Sequence, residues 1–263
     1  MAKKTAVPKW TAFPHSSKEF AYAGDALKKS WDKLHQGDQE PFPKDTGAQE
    51  AWRLFHEGRF AEAVAQGLEA GGAGITAANK SQAIYANGVE AKGAAKVALF
   101  EEVMQRAQAQ AKAEPKNANA HYLYAYAAGR YSQRISVAKA LAQGYGGKIR
   151  NALEAALKLS PKHAEAHIAM GAYHAEIIDK VGAMVGGLTY GASREKGEDH
   201  FRKALKLAPD SPIAHIEMAN GMVMMQGRKM VEEAAKLYAK AAAMEPRDAM
   251  EKIDVETARA EID

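Results

Sequence analysis

The 263-residue chain contains no cysteine, which excludes disulfides, thiol catalysis, thiolate metal sites and lipid attachment at cysteine. It contains no run of 18 apolar residues, so no segment is long enough to span a membrane as a helix. The opening MAKKTAVPKWTAFPHSSKEF carries lysines with no apolar stretch behind them and does not have the form of a secretory signal. A cytoplasmic location is therefore expected. Charge of one sign is also missing: 36 basic and 32 acidic residues leave a net +4, too small and too scattered for a nucleic-acid surface. Proline and β-branched residues are scarce while alanine is abundant, which favours helix over sheet. The charge is uneven at the ends. Residues 1–44 hold eight lysines against five acids, and residues 247–263 hold three basic groups against six acids. Solvated ends account for this, and a head-to-tail oligomer is the alternative.

Internal self-similarity is the strongest signal in the chain. Pro115, Pro161, Pro209 and Pro246 each follow an amphipathic segment, most clearly ALEAALKLSP, HFRKALKLAP and LYAKAAAMEP. Leu153, Phe201 and Tyr238 stand eight residues before their proline, and Ala156, Ala204 and Ala241 five before it. A bulky residue followed three later by a small one marks a helix face packed closely on a neighbour. Proline then stops the helix. A second helix follows each of the first three prolines, with Tyr124, Met170 and Met218 in one large slot and Ala125, Gly171 and Ala219 in the next, small one. His121, His167 and His215 fall at a third repeated position, 46 and then 48 residues apart. The prolines are 46, 48 and 37 residues apart, against about 34 for the ordinary helical-hairpin repeat. The excess lies in two insertions, at about 133–148 and 179–197, each holding a Tyr-Gly pair, Tyr145-Gly146 and Tyr190-Gly191. The expectation is that each insertion prolongs the first helix and turns at the Tyr-Gly.

These residues resemble the tetratricopeptide repeat, whose large-then-small pair, later alanine and terminal proline they match. The resemblance implies an all-α, tetratricopeptide-like helical-hairpin solenoid with helical caps at both ends. On this reading residues 1–47 form an N-terminal arm and capping helix, 48–246 the repeats with their insertions, and 247–263 a C-terminal capping helix. SSKEFAYAGDALKKSWDKLHQG is expected to form one amphipathic helix capped by Ser16 or Ser17. More narrowly, MGAYHAEIIDKVGAMVGGLTYGASREKGEDHFRKALKLAP is similar to the divergent repeats of the regulator-of-microtubule-dynamics family. It is also similar to the T-component of tripartite, TRAP-type transporters, a lipoprotein built from such repeats. The resemblance covers residues 117–246 and describes architecture rather than activity.

The candidate chemistry is sparse. Neighbouring repeats lie about 10 Å apart, too far for His121, His167 and His215 to share a metal. The expected role is structural, an imidazole filling the slot and donating a hydrogen bond. His163, His167 and His174 share one helix face, but HAEAH is not the HExxH arrangement of metalloproteases. GYGGK lacks both the earlier glycine and the Ser or Thr of a phosphate loop. No catalytic residue, metal site or cofactor is assigned, and the chain is expected not to be an enzyme. The first helices are expected to line an apolar, aromatic concave groove through Tyr122, Tyr126, Ile168, Ala172, Ile216 and Asn220, with Arg130 as a further polar anchor. Tyr145 and Tyr190 would plug it if the insertions fold inward. Such a groove suits a peptide or amphipathic helix of a protein partner. The alternative is a carrier that encloses a small apolar ligand between groove and insertions, as in T-component-like proteins.

Overall fold

The computed structural model of the chain describes residues 5–262, which form fourteen α-helices and two short 3-10 turns with no strand among the described residues. Lys3, Lys4 and Asp263, on which the head-to-tail reading partly rests, lie outside the described residues. The chain divides into two compact units. One takes residues through His35, 40–135 and 247–250; the other takes 36–39, 136–246 and 251 onward.

The first unit contains α1 (Asp25–Leu34), α2 (Thr46–His56), α3 (Phe60–Ala70), α4 (Ala73–Gly88), α5 (Gly93–Ala113) and α6 (Ala118–Ile135). Consecutive helices from α2 to α6 pack on one another, and α2, α4 and α6 also pack in series. That is the pattern of stacked hairpins, with alternate helices on one side. The single N-terminal helix expected from the sequence is broken. A 3-10 turn covers Lys18–Phe20, and Tyr22 and Gly24 take positive φ of 43° and 59° before α1 begins. Residues in that region cannot continue a right-handed helix. Trp31 of α1 meets Trp52 of α2 edge to face at 6.0 Å and donates its indole N–H to the Glu40 carbonyl at 2.7 Å. The Asp45 side chain caps α2 by accepting from the Ala48 amide at 2.8 Å. α3 and α4 cross so closely that a Cβ on Gly67 would stand 2.4 Å from the Gly74 carbonyl oxygen. Between α4 and α5 lies a buried polar seam. Arg106 donates to Asn79 and Gln82, and Gln110 donates to Thr76, at 2.7–2.9 Å. These groups satisfy one another, as buried polar atoms must.

The second unit contains α7 (Val137–Ala142), α8 (Tyr145–Leu159), α9 (Ala164–Val181), α10 (Ala183–Tyr190), α11 (Arg194–Leu207), α12 (Pro212–Gln226), α13 (Val231–Ala242) and residues 251–262 of α14 (Ala249–Ile262). α9 packs on α8, α11 and α12, and α12 on α13. The repeated slots explain the packing. The Phe201 ring lies between two glycines: a Cβ on Gly171 of α9 would stand 2.7 Å from it, and one on Gly221 of α12 2.4 Å. Ala204 packs with Ile168 and Ala214, and Ala241 with Ile216 and Ala258. Of the late methionines, Met225 is buried against Gly197, while Met218, Met222, Met224 and Met230 are half-buried.

The insertions build short helices of their own. α6 ends at Ile135 and Ser136 takes φ 102°, its hydroxyl capping α7; α9 ends at Val181 and Gly182, φ 79°, opens α10. The second turn falls at Gly191, directly after Tyr190. The first falls at Gly144, φ 75°, so that Tyr145 is already the first residue of α8. Glycine supplies the left-handed conformation in both places.

Candidate functional site

The three repeated histidines share one bond. Nε2 of His121 lies 3.2 Å from the Pro115 carbonyl oxygen, that of His167 3.1 Å from Pro161, and that of His215 3.0 Å from Pro209. A carbonyl only accepts, so Nε2 carries the proton in each ring. The proline carbonyl sits in the turn between two helices, where the helix ladder supplies no donor. Each imidazole, six residues on, reaches back to satisfy it. His167 and His215 are buried and His121 is half-exposed.

His167 also belongs to a cluster between α9 and α11. Its Nδ1 lies 2.8 Å from Nδ1 of His200, and the His174 ring lies 6.0 Å from that of His200. Because His167 donates through Nε2, its Nδ1 is the acceptor and His200 donates. Burial lowers the pKa of all three, with neighbouring cations or imidazoles adding to it; His174 and His200 fall to about 4. The Nδ1 of His174 is buried without a partner. Among the described residues no group of three or more His, Asp or Glu is arranged to hold a metal ion. His163 instead caps α9, its Nδ1 accepting from the Ala166 amide at 3.1 Å.

The first unit holds a second buried row. His56 donates from Nδ1 to the Asp248 carboxylate at 2.8 Å, and its Nε2 lies 3.3 Å from Nε2 of His35. Burial lowers the His56 pKa, against the opposing pull of Asp248. His35, His56 and Asp248 are exposed by only 3 %, 1 % and 3 %, which keeps substrate from them. The row ties residues 247–250 to α2. Sequence reading missed His35, His56, Asp248 and His200 because their partners lie 21 to 192 residues away.

The residues expected to line a groove fall in both units. In the first, Tyr122 is buried and its ring lies 6.1 Å from that of half-buried Tyr126, over which the Arg130 guanidinium stands at 5.4 Å. This forms an aromatic and cationic ladder along α6. In the second, Ile168 and Ile216 are buried among alanines of neighbouring helices, and Ala172 is half-buried. Asn220 accepts a hydrogen bond from the Tyr238 hydroxyl at 2.8 Å. The two insertions meet one another: the Tyr190 ring rests on Gly146, where a Cβ would stand 2.9 Å away, and its carbonyl accepts from Arg150 and from the Tyr173 hydroxyl, each at 3.1 Å. Tyr145 is half-buried, with Lys148 Nζ 4.9 Å from its ring centre. α10 leaves Met184 and Leu188 exposed by 77 % and 86 %.

Comparison with known proteins adds a family and a fold. The model of the family described as regulator of microtubule dynamics protein 1-3 matches residues 77–262. No curated protein matches the chain. TTC0263, a thermophilic TPR protein of Thermus thermophilus, is 19% identical at a TM-score of 0.55, with 81% of this chain and 99% of that one covered. A monomeric mutant of IFIT1, solved with Gppp-AAAA, is 16% identical at a TM-score of 0.42, over 88% of this chain and 56% of that one. The first likeness establishes the fold alone, an all-α helical repeat of tetratricopeptide type. Among the described residues no helix is long and apolar enough to cross a membrane.

Proposed function

Since the chain belongs to the regulator of microtubule dynamics protein 1-3 family and has a tetratricopeptide-like helical fold, we propose that it is a non-catalytic scaffold docking a peptide or amphipathic helix of a protein partner. The observation that carries this reading is the α6 ladder of Tyr122, Tyr126 and Arg130. Rigid rings with an adjacent guanidinium are the residue types that concentrate binding energy at protein interfaces. In the second unit, Ala172 and Asn220, two of the positions expected to line a groove, are half-buried rather than sealed in the core, which supports the same reading.

The test is affinity capture from the source cell with the native chain and with a Tyr126→Ala, Arg130→Ala variant. Both positions are half-buried, so the helix should keep its fold, which circular dichroism checks. Loss of specific partners from the variant supports the reading. An unchanged set of partners removes α6 as the interaction face. The family's description makes microtubules one of the partners to score.

A further inference from the structure

The N-terminal arm lies on the first unit the way a bound peptide lies on its receptor. The Trp10 ring stacks on Tyr85 with centroids 4.2 Å apart and planes 8° from parallel. Phe13 meets Phe60 edge to face at 6.0 Å. Between them the Thr11 amide donates to the Tyr85 hydroxyl at 3.2 Å. The seat is built for this occupant. Tyr85 is 1 % exposed, and its hydroxyl donates to Glu90 at 3.1 Å, which leaves its lone pairs directed at the arm. Gly58 takes φ 83°, and a Cβ there would stand 2.8 Å from the Phe13 ring.

Residues 7–13 form no helix or strand, Trp10 and Phe13 remain half-exposed, and Val7 is 52 % exposed. Pro8 and Pro14 bracket the two aromatics and limit the backbone to extended conformations, which lowers the entropy lost on docking. A cleft of about 420 Å³ remains between the arm and residues 57–62, walled by Trp10, Phe13 and Phe60, with Arg59 and Glu62 also lining it. A segment with bulkier side chains would fill what the arm leaves empty.

We propose that the face formed by Gly58, Phe60 and Tyr85 is a docking site for an extended partner segment carrying two aromatic residues three positions apart, and that the chain's own arm fills it when no partner is present. This site is separate from the α6 ladder. The test uses the full chain and a fluorescent peptide with the sequence of residues 5–17, TAVPKWTAFPHSS, followed by anisotropy. A Trp10→Ala, Phe13→Ala variant should stay folded by circular dichroism and bind the peptide at least about tenfold more tightly than the native chain, whose arm competes. Adding Gly58→Ala to that variant should abolish binding, and a peptide lacking both rings should bind neither protein. A folded variant that binds no peptide overturns the proposal. So does equal binding by native and variant chains, or loss of cooperative unfolding in the variant, which would make the arm part of the core. A concentration-dependent native dimer that the peptide splits would make a second copy the occupant and also overturn it.

Discussion

A histidine that donates to a proline carbonyl six residues earlier satisfies an acceptor that the helix ladder cannot reach. The value of that bond depends on whether water can replace it. At His215, whose ring is buried, replacement by alanine removes the bond together with the packing of that ring and should cost about 1–3 kcal/mol. At half-exposed His121 water can take over, so His121→Ala should cost less than about 1 kcal/mol. Urea unfolding of the two full-length variants compares them directly, and equal costs would mean the bond is not what the slot contributes. The slot itself was legible, because three histidines recur at the repeat spacing. Its partner was not, since sequence periodicity says nothing of which way an imidazole turns.

Glycines decide how closely the helices of the second unit approach. The Phe201 ring fills the space that a side chain on Gly171 or Gly221 would need. Gly171→Ala or Gly221→Ala should therefore destabilise by about 1–3 kcal/mol through overpacking. Gly129, inside α6 with nothing within 4 Å of a built Cβ, is the internal control. Gly129→Ala should stabilise by about 0.5–1 kcal/mol, since alanine loses less conformational freedom in a helix. Thermal melts of the three variants carry the comparison; a stabilised Gly171→Ala would mean that the ring has room to move aside. The small slots were visible in the sequence as a column of Ala125, Gly171 and Ala219. The breaks at Tyr22, Gly24 and Ser136 were not, because the amphipathic pattern continues across the first of them and only backbone geometry reveals the turn.

At the level of the whole molecule, acid should act unevenly. His174 and His200 have pKa values near 4 when folded, against about 6.5 in an unfolded chain. Between those values the unfolded chain binds more protons than the folded one, so stability falls as pH drops through that window and is fully present above it. Each histidine contributes a slope of about 1.4 kcal/mol per pH unit at most. A His200→Gln variant should show a shallower loss of melting temperature from pH 7 to pH 5 than the native chain. Hydrogen exchange at pH 5 should show α9 and α11 losing protection first. A native chain equally stable at both pH values would mean that the cluster opens to solvent when folded.

The sequence by itself determined that this is a helical repeat: proline spacing, large and small slots and scarce β-branched residues all constrain local structure and nearest-neighbour packing, which repeats of a solenoid share. It also placed the histidines and the turn at Tyr190-Gly191, whereas the first insertion turns at Gly144, ahead of its Tyr-Gly pair. Only the tertiary structure decided that Ile168 and Ile216 sit among alanines of neighbouring helices, that Tyr190 rests on Gly146, that His35, His56 and Asp248 form one buried row, and that Trp10 lies on Tyr85. Those contacts join residues 21 or more positions apart on different elements, and a periodic pattern carries no record of which distant face a helix or an arm will meet.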